Sequence, residues 1–306
     1  MGQHVPVLRD QVLEQLAIRV DGAYLDCTFG RGGHSLAILA RLGPQGRVYA
    51  LDRDPAAVAE GERLAAADPR LVVDQGRFSG LDAWRQQLQI DAFDGILLDL
   101  GVSSPQLDAA DRGFSFGKDG PLDMRMDPAS GISAADWLNA AAEKDIARVL
   151  RQLGEEPAAG RIARAIGERR QEKAISTTGE LAALIEGVVP RRPGARHPAT
   201  RSFQAIRMHV NDELHELDAG LQQAAGCLAP GGRLCVISFH SLEDRRVKRF
   251  MRDHARVDPA LARLPVVPDS ARPTLRLPTR AIRPSAAETA ANPRARSATL
   301  RVAERL

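Results

Sequence analysis

Residues 24–34, YLDCTFGRGGH, constrain this chain more than any other stretch. Tyr24 and Leu25 read as a short apolar strand that ends at Asp26, and Gly30, Gly32 and Gly33 form a turn after it. Glycine lets the backbone turn tightly and approach a ligand where a Cβ would collide. Residues 35–42, SLAILARL, have helical apolar spacing, so free N–H groups of the first helical turn would face that ligand. A second strand, residues 47–51, closes at Asp52, where an acid can accept hydrogen bonds from ribose hydroxyls. A dinucleotide fold would put its third glycine where this chain has Ser35, which argues against NAD. Acids at two successive strand ends suit a nucleoside with a charged amino-acid tail, and S-adenosylmethionine is such a ligand.

The alternation continues. Residues 4–18 turn at Pro6 and then read as a helix with Val12, Leu13 and Leu16 on one face. Pro55 opens a helix over 56–67, and residues 71–73 form a third strand leading to Phe78, whose ring can pack on an adenine face or in the core. Residues 94–100 make a strongly apolar fourth strand ending in Asp99. Such alternation predicts an α/β fold, a parallel sheet with helices on both faces. Ligands then sit beyond the carboxyl ends of the strands, at the switch between the first and the fourth. The loop 99–106 is therefore the expected reactive centre, with Asp99, Ser103 and Ser104 as the nearest catalytic candidates.

Between 112 and 211 no strand is expected. Helices are predicted over 137–153 behind Ser133 and Asp136, from Pro157 onward, and over 181–189 behind the Thr177/Glu180 capping pair. The domain expectation is 1–111 with 212–306, interrupted by a helical insertion at 112–211. A long helix over 200–228 leads back to a fifth strand at 233–239. His240 follows it, placed either to contact a base or to bond locally at the strand end. A helix then runs through Phe250. Residues 258–293 read as irregular, and 298–302 as a closing antiparallel strand at the sheet edge.

The 306 residues carry a net charge of only +3 with a pI near 9.0, which conceals two basic runs. Residues 190–207 hold Arg191, Arg192, Arg196, Arg201 and Arg207 without an acid, and 270–301 hold seven arginines against Glu288 alone. Arginine forks suit phosphate, and the runs point to nucleic acid. An aromatic content of 4% argues against a single-strand stacking platform, so a folded RNA read through its backbone fits better. Cys27, Cys227 and Cys235 lack metal-ligand or disulfide spacing. With no signal-peptide core and no apolar run long enough to span a bilayer, a soluble cytoplasmic protein is expected.

Several longer motifs go together: DCTFGRGGHS at 26–35, LDRDP at 51–55, LLDLGVSSPQLD at 97–108, GPLDMRMD at 120–127, HPATRSFQAIRMHVNDEL at 197–214, GGRLCVISFHSLEDRRVK at 231–248 and NPRARSATLRVAER at 292–305. In these the chain resembles the ribosomal RNA small-subunit methyltransferase H family, nearly end to end. The resemblance implies a class I (Rossmann-like) methyltransferase domain with a mostly parallel, seven-stranded-type sheet and an inserted all-helical subdomain. It implies S-adenosylmethionine-dependent methylation of the exocyclic N4 of a cytidine in the decoding region of bacterial 16S rRNA, with the small ribosomal subunit as partner and no metal. The family's cofactor contacts carry over to Gly32, Gly33, His34, Asp52, Phe78, Asp99 and Gln106. Arg191, Arg192, Arg196, Arg201, His240, Arg294 and Arg296 are the candidate RNA contacts. Many amino-methyltransferases carry an Asp/Asn/Ser-Pro-Pro-aromatic loop after the fourth strand, whereas this chain has Ser104-Pro105-Gln106, which leaves the residue that stacks the base open. A homodimer is compatible with the sequence. The competing readings are a same-fold methyltransferase on another substrate, a nucleotide-dependent oxidoreductase, and a non-catalytic RNA-binding assembly factor.

Overall fold

A computed structural model describes residues 6–191, 194, 197–257, 261, 266 and 268–306; His4, Arg192 and Arg196 lie outside them. The chain opens with α1 (Arg9–Gln15) and then alternates through β1 (Ala23–Asp26), α2 (Gly33–Leu39), β2 (Arg47–Asp52), α3 (Pro55–Ala65), β3 (Leu71–Gln75), α4 (Leu81–Gln87) and β4 (Phe93–Asp99). Six helices follow: α5 (Ser104–Asp108), α6 (Ala134–Ala140), α7 (Glu143–Gly154), α8 (Ala159–Glu172), α9 (Thr178–Val188) and α10 (Thr200–Val210). Then come α11 (Glu213–Cys227), β5 (Leu228–Ser238), α12 (Ser241–His254), β6 (Leu275–Arg276), α13 (Ala286–Ala291) and β7 (Thr299–Arg305). The chain divides into two compact units, Met1–Gly101 with His215–Leu306, and Val102–Leu214.

The first unit is built on a seven-stranded sheet in the order β3-β2-β1-β4-β5-β7-β6. Strands β1 to β5 run parallel, and β7 is antiparallel to both neighbours. In β4 the consecutive residues Ile96, Leu97 and Leu98 are all fully buried, yet Leu97 joins one apolar cluster and its two neighbours join another. Successive strand side chains point to opposite faces, so both faces of the sheet are covered, as parallel strands require. Burying each such side chain stabilises the fold by about 1.5–3 kcal/mol. Because β1 lies between β2 and β4, the chain leaves β1 in opposite directions on its two sides. That is the switch point at which open α/β sheets leave a crevice.

One expectation about the sheet is corrected. The closing strand is antiparallel, but it is not the edge. The two-residue strand β6 pairs outside it, Leu275 with Arg305 and Arg276 with Glu304. Arg276 Nε also donates to Glu304 Oε1 at 2.9 Å, so a side-chain ion pair fixes a segment too short to persist by backbone pairing alone. The supposedly irregular run also contains α13, capped by Ser285, whose side chain accepts from the Glu288 N–H.

The second unit has its own core, with Trp137, Leu138, Ile146, Leu150, Ile162, Ile166, Leu181, Ile185, Phe203 and Ile206 all buried. Thr177 and Glu180 form the expected reciprocal cap on α9, and Ser133 caps α6. Two predicted helices are each broken in two. The 137–153 stretch separates into α6 and α7 at Ala141, where the Arg170 guanidinium donates to the Leu138 and Ala141 carbonyls, at 2.7 Å each, and takes the carbonyls that would have continued the helix. The 200–228 stretch breaks at Asn211 and Asp212, the latter at φ 50. Buried Asn211 donates to the Met124 and Arg207 carbonyls at 2.7 and 2.9 Å and accepts from the Met126 N–H at 2.8 Å. It trades helix continuation for two bonds to the loop before α6 and one back to the last turn of α10.

Candidate cofactor site at the strand ends

The glycine turn is tied at both sides by the acids that precede and follow it. Asp26 is 1% exposed. Its Oδ2 accepts from the Ser35 hydroxyl at 2.7 Å, and its Oδ1 accepts from the Thr28 N–H at 3.0 Å and the Thr28 hydroxyl at 3.3 Å. Ser35 thus replaces the third glycine of a dinucleotide turn with a donor that locks the turn to β1. Burial pushes the Asp26 carboxyl up, while His34, Ser35 and Thr28 pull against that shift. Asp52, at the end of β2, accepts the Gly30 N–H on Oδ2 and the Asp54 N–H on Oδ1, both at 2.8 Å. Burial raises it to about 6, with the two backbone donors opposing. Each carboxylate oxygen carries two acceptor sites, so Asp52 keeps lone pairs for a ligand hydroxyl.

Two positions of the turn cannot carry side chains. Gly32 has φ +74, and a Cβ there would lie 2.7 Å from the Phe29 ring; one on Gly33 would lie 2.9 Å from Pro6. At these two positions backbone is therefore the only surface the turn can offer. It leads into α2, which at seven residues is shorter than the sequence suggested.

At the end of β4, the Asp99 N–H donates to Thr28 Oγ1 at 2.7 Å, so one threonine joins the tips of β1 and β4. His34, 6% exposed, places Nε2 3.6 Å from Asp99 Oδ2. That is an electrostatic separation rather than a hydrogen bond, and neither ring nitrogen is bonded at full geometry among the described residues. Burial works against the imidazolium, but the Asp99 and Asp26 carboxylates and the Val7 carbonyl outweigh it, and His34 sits above its ordinary value. Asp99 Oδ1 is buried and has no hydrogen-bond partner among the described residues. Such an orphaned acceptor is rare in a folded protein and asks for a donor from outside the chain. Phe78 begins a short 3-10 turn after β3, and its ring lies against Gly220 of α11, where a Cβ would sit 2.4 Å from Cδ2. Packing claims one face of that ring.

Asp52, Asp99, His34, Gly32 and Gly33 are thus gathered at neighbouring strand ends of the first unit. Ser103, Ser104 and Gln106 belong to the second. There, Pro105 occupies the first turn of α5, and buried Gln106 turns its Oε1 back to accept the Ser103 N–H at 2.9 Å in a capping box. His240 caps α12: Nδ1 accepts from the Glu243 N–H at 3.4 Å, and Nε2 lies 3.1 Å from Glu243 Oε1. Of the first basic run, Arg191 is exposed, Arg201 donates to the Glu155 carbonyl at 3.2 Å, and Arg207 forms a two-pronged pair with Glu213 at 2.7 and 2.8 Å. Arg294 and Arg296 are exposed on the 3-10 turn before β7. Sequence reasoning did not single out Thr28. Its place two residues after a strand-end acid, the spacing of a local side-chain-to-backbone turn, could have marked it.

The arrangement offers acceptors, an imidazole and bare backbone, which match ribose hydroxyls and the cationic ammonium and sulfonium of S-adenosylmethionine. The MraW methylase family profile matches residues 1–306. Ribosomal RNA small subunit methyltransferase H of Xanthomonas campestris pv. campestris (strain B100) is 57% identical over 303 residues, covering 99% of this chain and 87% of its own. The protein of the same name from Thiobacillus denitrificans is 58% identical over 304 residues, covering 99% and 97%. Among solved structures, an rRNA methylase from Streptococcus thermophilus aligns over 97% of this chain and 93% of its own, with TM-score 0.43 and 12% identity. The chain belongs to the MraW methylase family, with S-adenosylmethionine as its cofactor.

Proposed function

We propose that this protein transfers a methyl group from S-adenosylmethionine to the N4 amino group of a cytidine in the decoding region of 16S rRNA. The observation that carries this reading is the orphaned Asp99 Oδ1 at the β4 tip, an acceptor placed for an N–H donor. The names of relatives 56–58% identical over nearly the whole chain support ribosomal RNA of the small subunit as the substrate.

In this reading Asp52 takes the ribose hydroxyls with its remaining lone pairs, and Gly32 and Gly33 let the backbone approach the nucleoside. The cofactor supplies a methyl on an already activated sulfonium leaving group, so the protein chiefly has to align donor and acceptor. Cytosine N4 is a weak nucleophile because its lone pair is delocalised into the ring. Asp99 Oδ1 accepts one N4–H, favours a pyramidal nitrogen and takes up positive charge as the new N–C bond forms. One N4 proton leaves through that oxygen to solvent. The His34 imidazole, 3.6 Å from Asp99 Oδ2, steadies the other side of the carboxylate. Ser103 and Ser104 are further candidates for contact with the base. The helical unit and its arginines would grip the RNA around a cytidine that has been unstacked to react.

The test is to incubate purified protein, labelled cofactor and small subunits lacking the modification, then map the label by nuclease digestion and mass spectrometry. A single N4-methylcytidine in the decoding region is expected. Label on a ring carbon, a ribose or a ribosomal protein would overturn the assignment.

A further inference from the structure

We propose that a groove on the first unit, walled by α12 and the segment just after β6, binds the sugar–phosphate backbone of RNA. The groove has a volume of about 590 Å³, and the residues lining it include five cations and no acid. From α12 and its end come Lys248, Arg252 and Arg256; Arg280 comes from the segment after β6 and Arg301 from β7. Lys248 and Arg252 are four residues apart on one exposed helix face, and Arg256 continues the row past the helix end. Four residues of helix advance about 6 Å, so the charges form a line and not a point. A line matches successive phosphates of one strand better than a single terminal phosphate.

Part of this charge has an ordinary explanation. Arg252 sits in the last turn of α12, where a cation complements the helix dipole, and it pairs with Asp253. Arg301 is clasped by Asp244 at 2.7 and 3.0 Å and serves to hold β7 to α12. Lys248, Arg256 and Arg280 are not explained that way. All three are exposed and have no ion-pair partner among the described residues, and Arg280 comes from a different segment of the chain. Like charges facing one hollow repel each other unless an anion lies between them.

The floor narrows the ligand further. Leu277 is 47% exposed, and Pro278 follows it, so β6 cannot extend and take on a further strand. Apolar surface next to bare cations fits ribose and base edges attached to phosphates, which free inorganic phosphate lacks. Basic grooves of this kind track nucleic-acid backbones without reading sequence.

The inference rests on the RNA reading above, and the experiment separates the two. Filter binding of unmodified small subunits is measured against salt for the wild type and for the K248A/R256A/R280A triple variant, with thermal melts to verify folding. Each phosphate that is no longer neutralised should lower the slope of log affinity against log salt by about 0.7–0.9, so the triple variant should fall short of the wild-type slope by roughly 2 while cofactor affinity by calorimetry stays constant. R280K, which keeps the charge, should retain the wild-type slope. A wild type that methylates small subunits alongside a triple variant with unchanged affinity and slope would overturn the groove. A wild type that neither binds nor methylates them would overturn the RNA reading itself.

Discussion

The tips of β1 and β4 lie side by side and end in the same residue type, but their two aspartates are treated oppositely. Asp26 has both oxygens filled by its own chain, from Ser35 and Thr28. Asp99 leaves Oδ1 buried and without a hydrogen-bond partner among the described residues, and the His34 imidazole stands 3.6 Å from its other oxygen. Thr28 touches both, donating its hydroxyl to Asp26 and accepting the Asp99 N–H. A buried polar atom left unpaired costs about 1–3 kcal/mol, so the contrast assigns different work to the two acids. Asp26 braces the glycine turn, and Asp99 is held ready for something that arrives.

The sharpest way to break this contrast is Asp99→Asn. It conserves shape and removes the anion. Methylation of small subunits at saturating cofactor should fall by about 10²–10³-fold, the usual effect of removing one preorganised transition-state partner. The melting temperature should change little, because the amide keeps the shape and the Asp99 N–H bond to Thr28 is untouched. An Asp99→Asn enzyme within tenfold of wild type, with a lowered melting temperature, would make Asp99 a second brace and dissolve the comparison.

How far this was legible in the sequence depends on where each partner sits. The strand, turn and helix around 24–39 are local and could be read from glycine placement and apolar period. The unbroken apolar run Ile96-Leu97-Leu98 in β4 announced a strand covered on both faces. What escaped depended on distant partners. Nothing in Ala141 breaks a helix; Arg170 does, from 29 residues away. Asn211 ends α10 because Met124 and Met126 offer it better bonds than the helix does. The fate of the Phe78 ring was set by a glycine in α11 that makes room for it. The site acids were visible as a set, but their difference was not, since satisfaction of a carboxylate is a property of its surroundings.

Asp52 sharpens the comparison from between the two extremes, satisfied but with lone pairs to spare. Burial raises it from an ordinary 3.8 to about 6. An acid raised in the folded state favours folding when protonated, so its contribution to stability declines as pH rises from about 4 to about 6 and is level above that. Cofactor binding that needs the ionised carboxylate runs the other way. Affinity measured by calorimetry should be flat above pH 7 and about tenfold weaker at pH 5, on a pKa near 6. Asp52→Asn should be weaker throughout and lose this pH dependence. A wild-type affinity unchanged between pH 5 and 8 would remove Asp52 from the ribose.

The smallest effect isolates the brace itself. Ser35→Ala deletes one donor from Asp26 and leaves Oδ2 buried with nothing to accept. The cost should be about 1 kcal/mol, seen as a lower urea midpoint at unchanged m-value. Ser35 is one of the forces holding the Asp26 carboxyl down, so its loss should raise that group further and make stability fall more steeply as pH climbs through the raised value. The chemical step at saturating cofactor should change far less than in Asp99→Asn, because the missing bond faces the strand end and not the reacting nitrogen. If Ser35→Ala instead left stability untouched and cut the chemical step as deeply as Asp99→Asn, the β1 tip would belong to the reaction, and division of labour between the two tips would have to be drawn elsewhere.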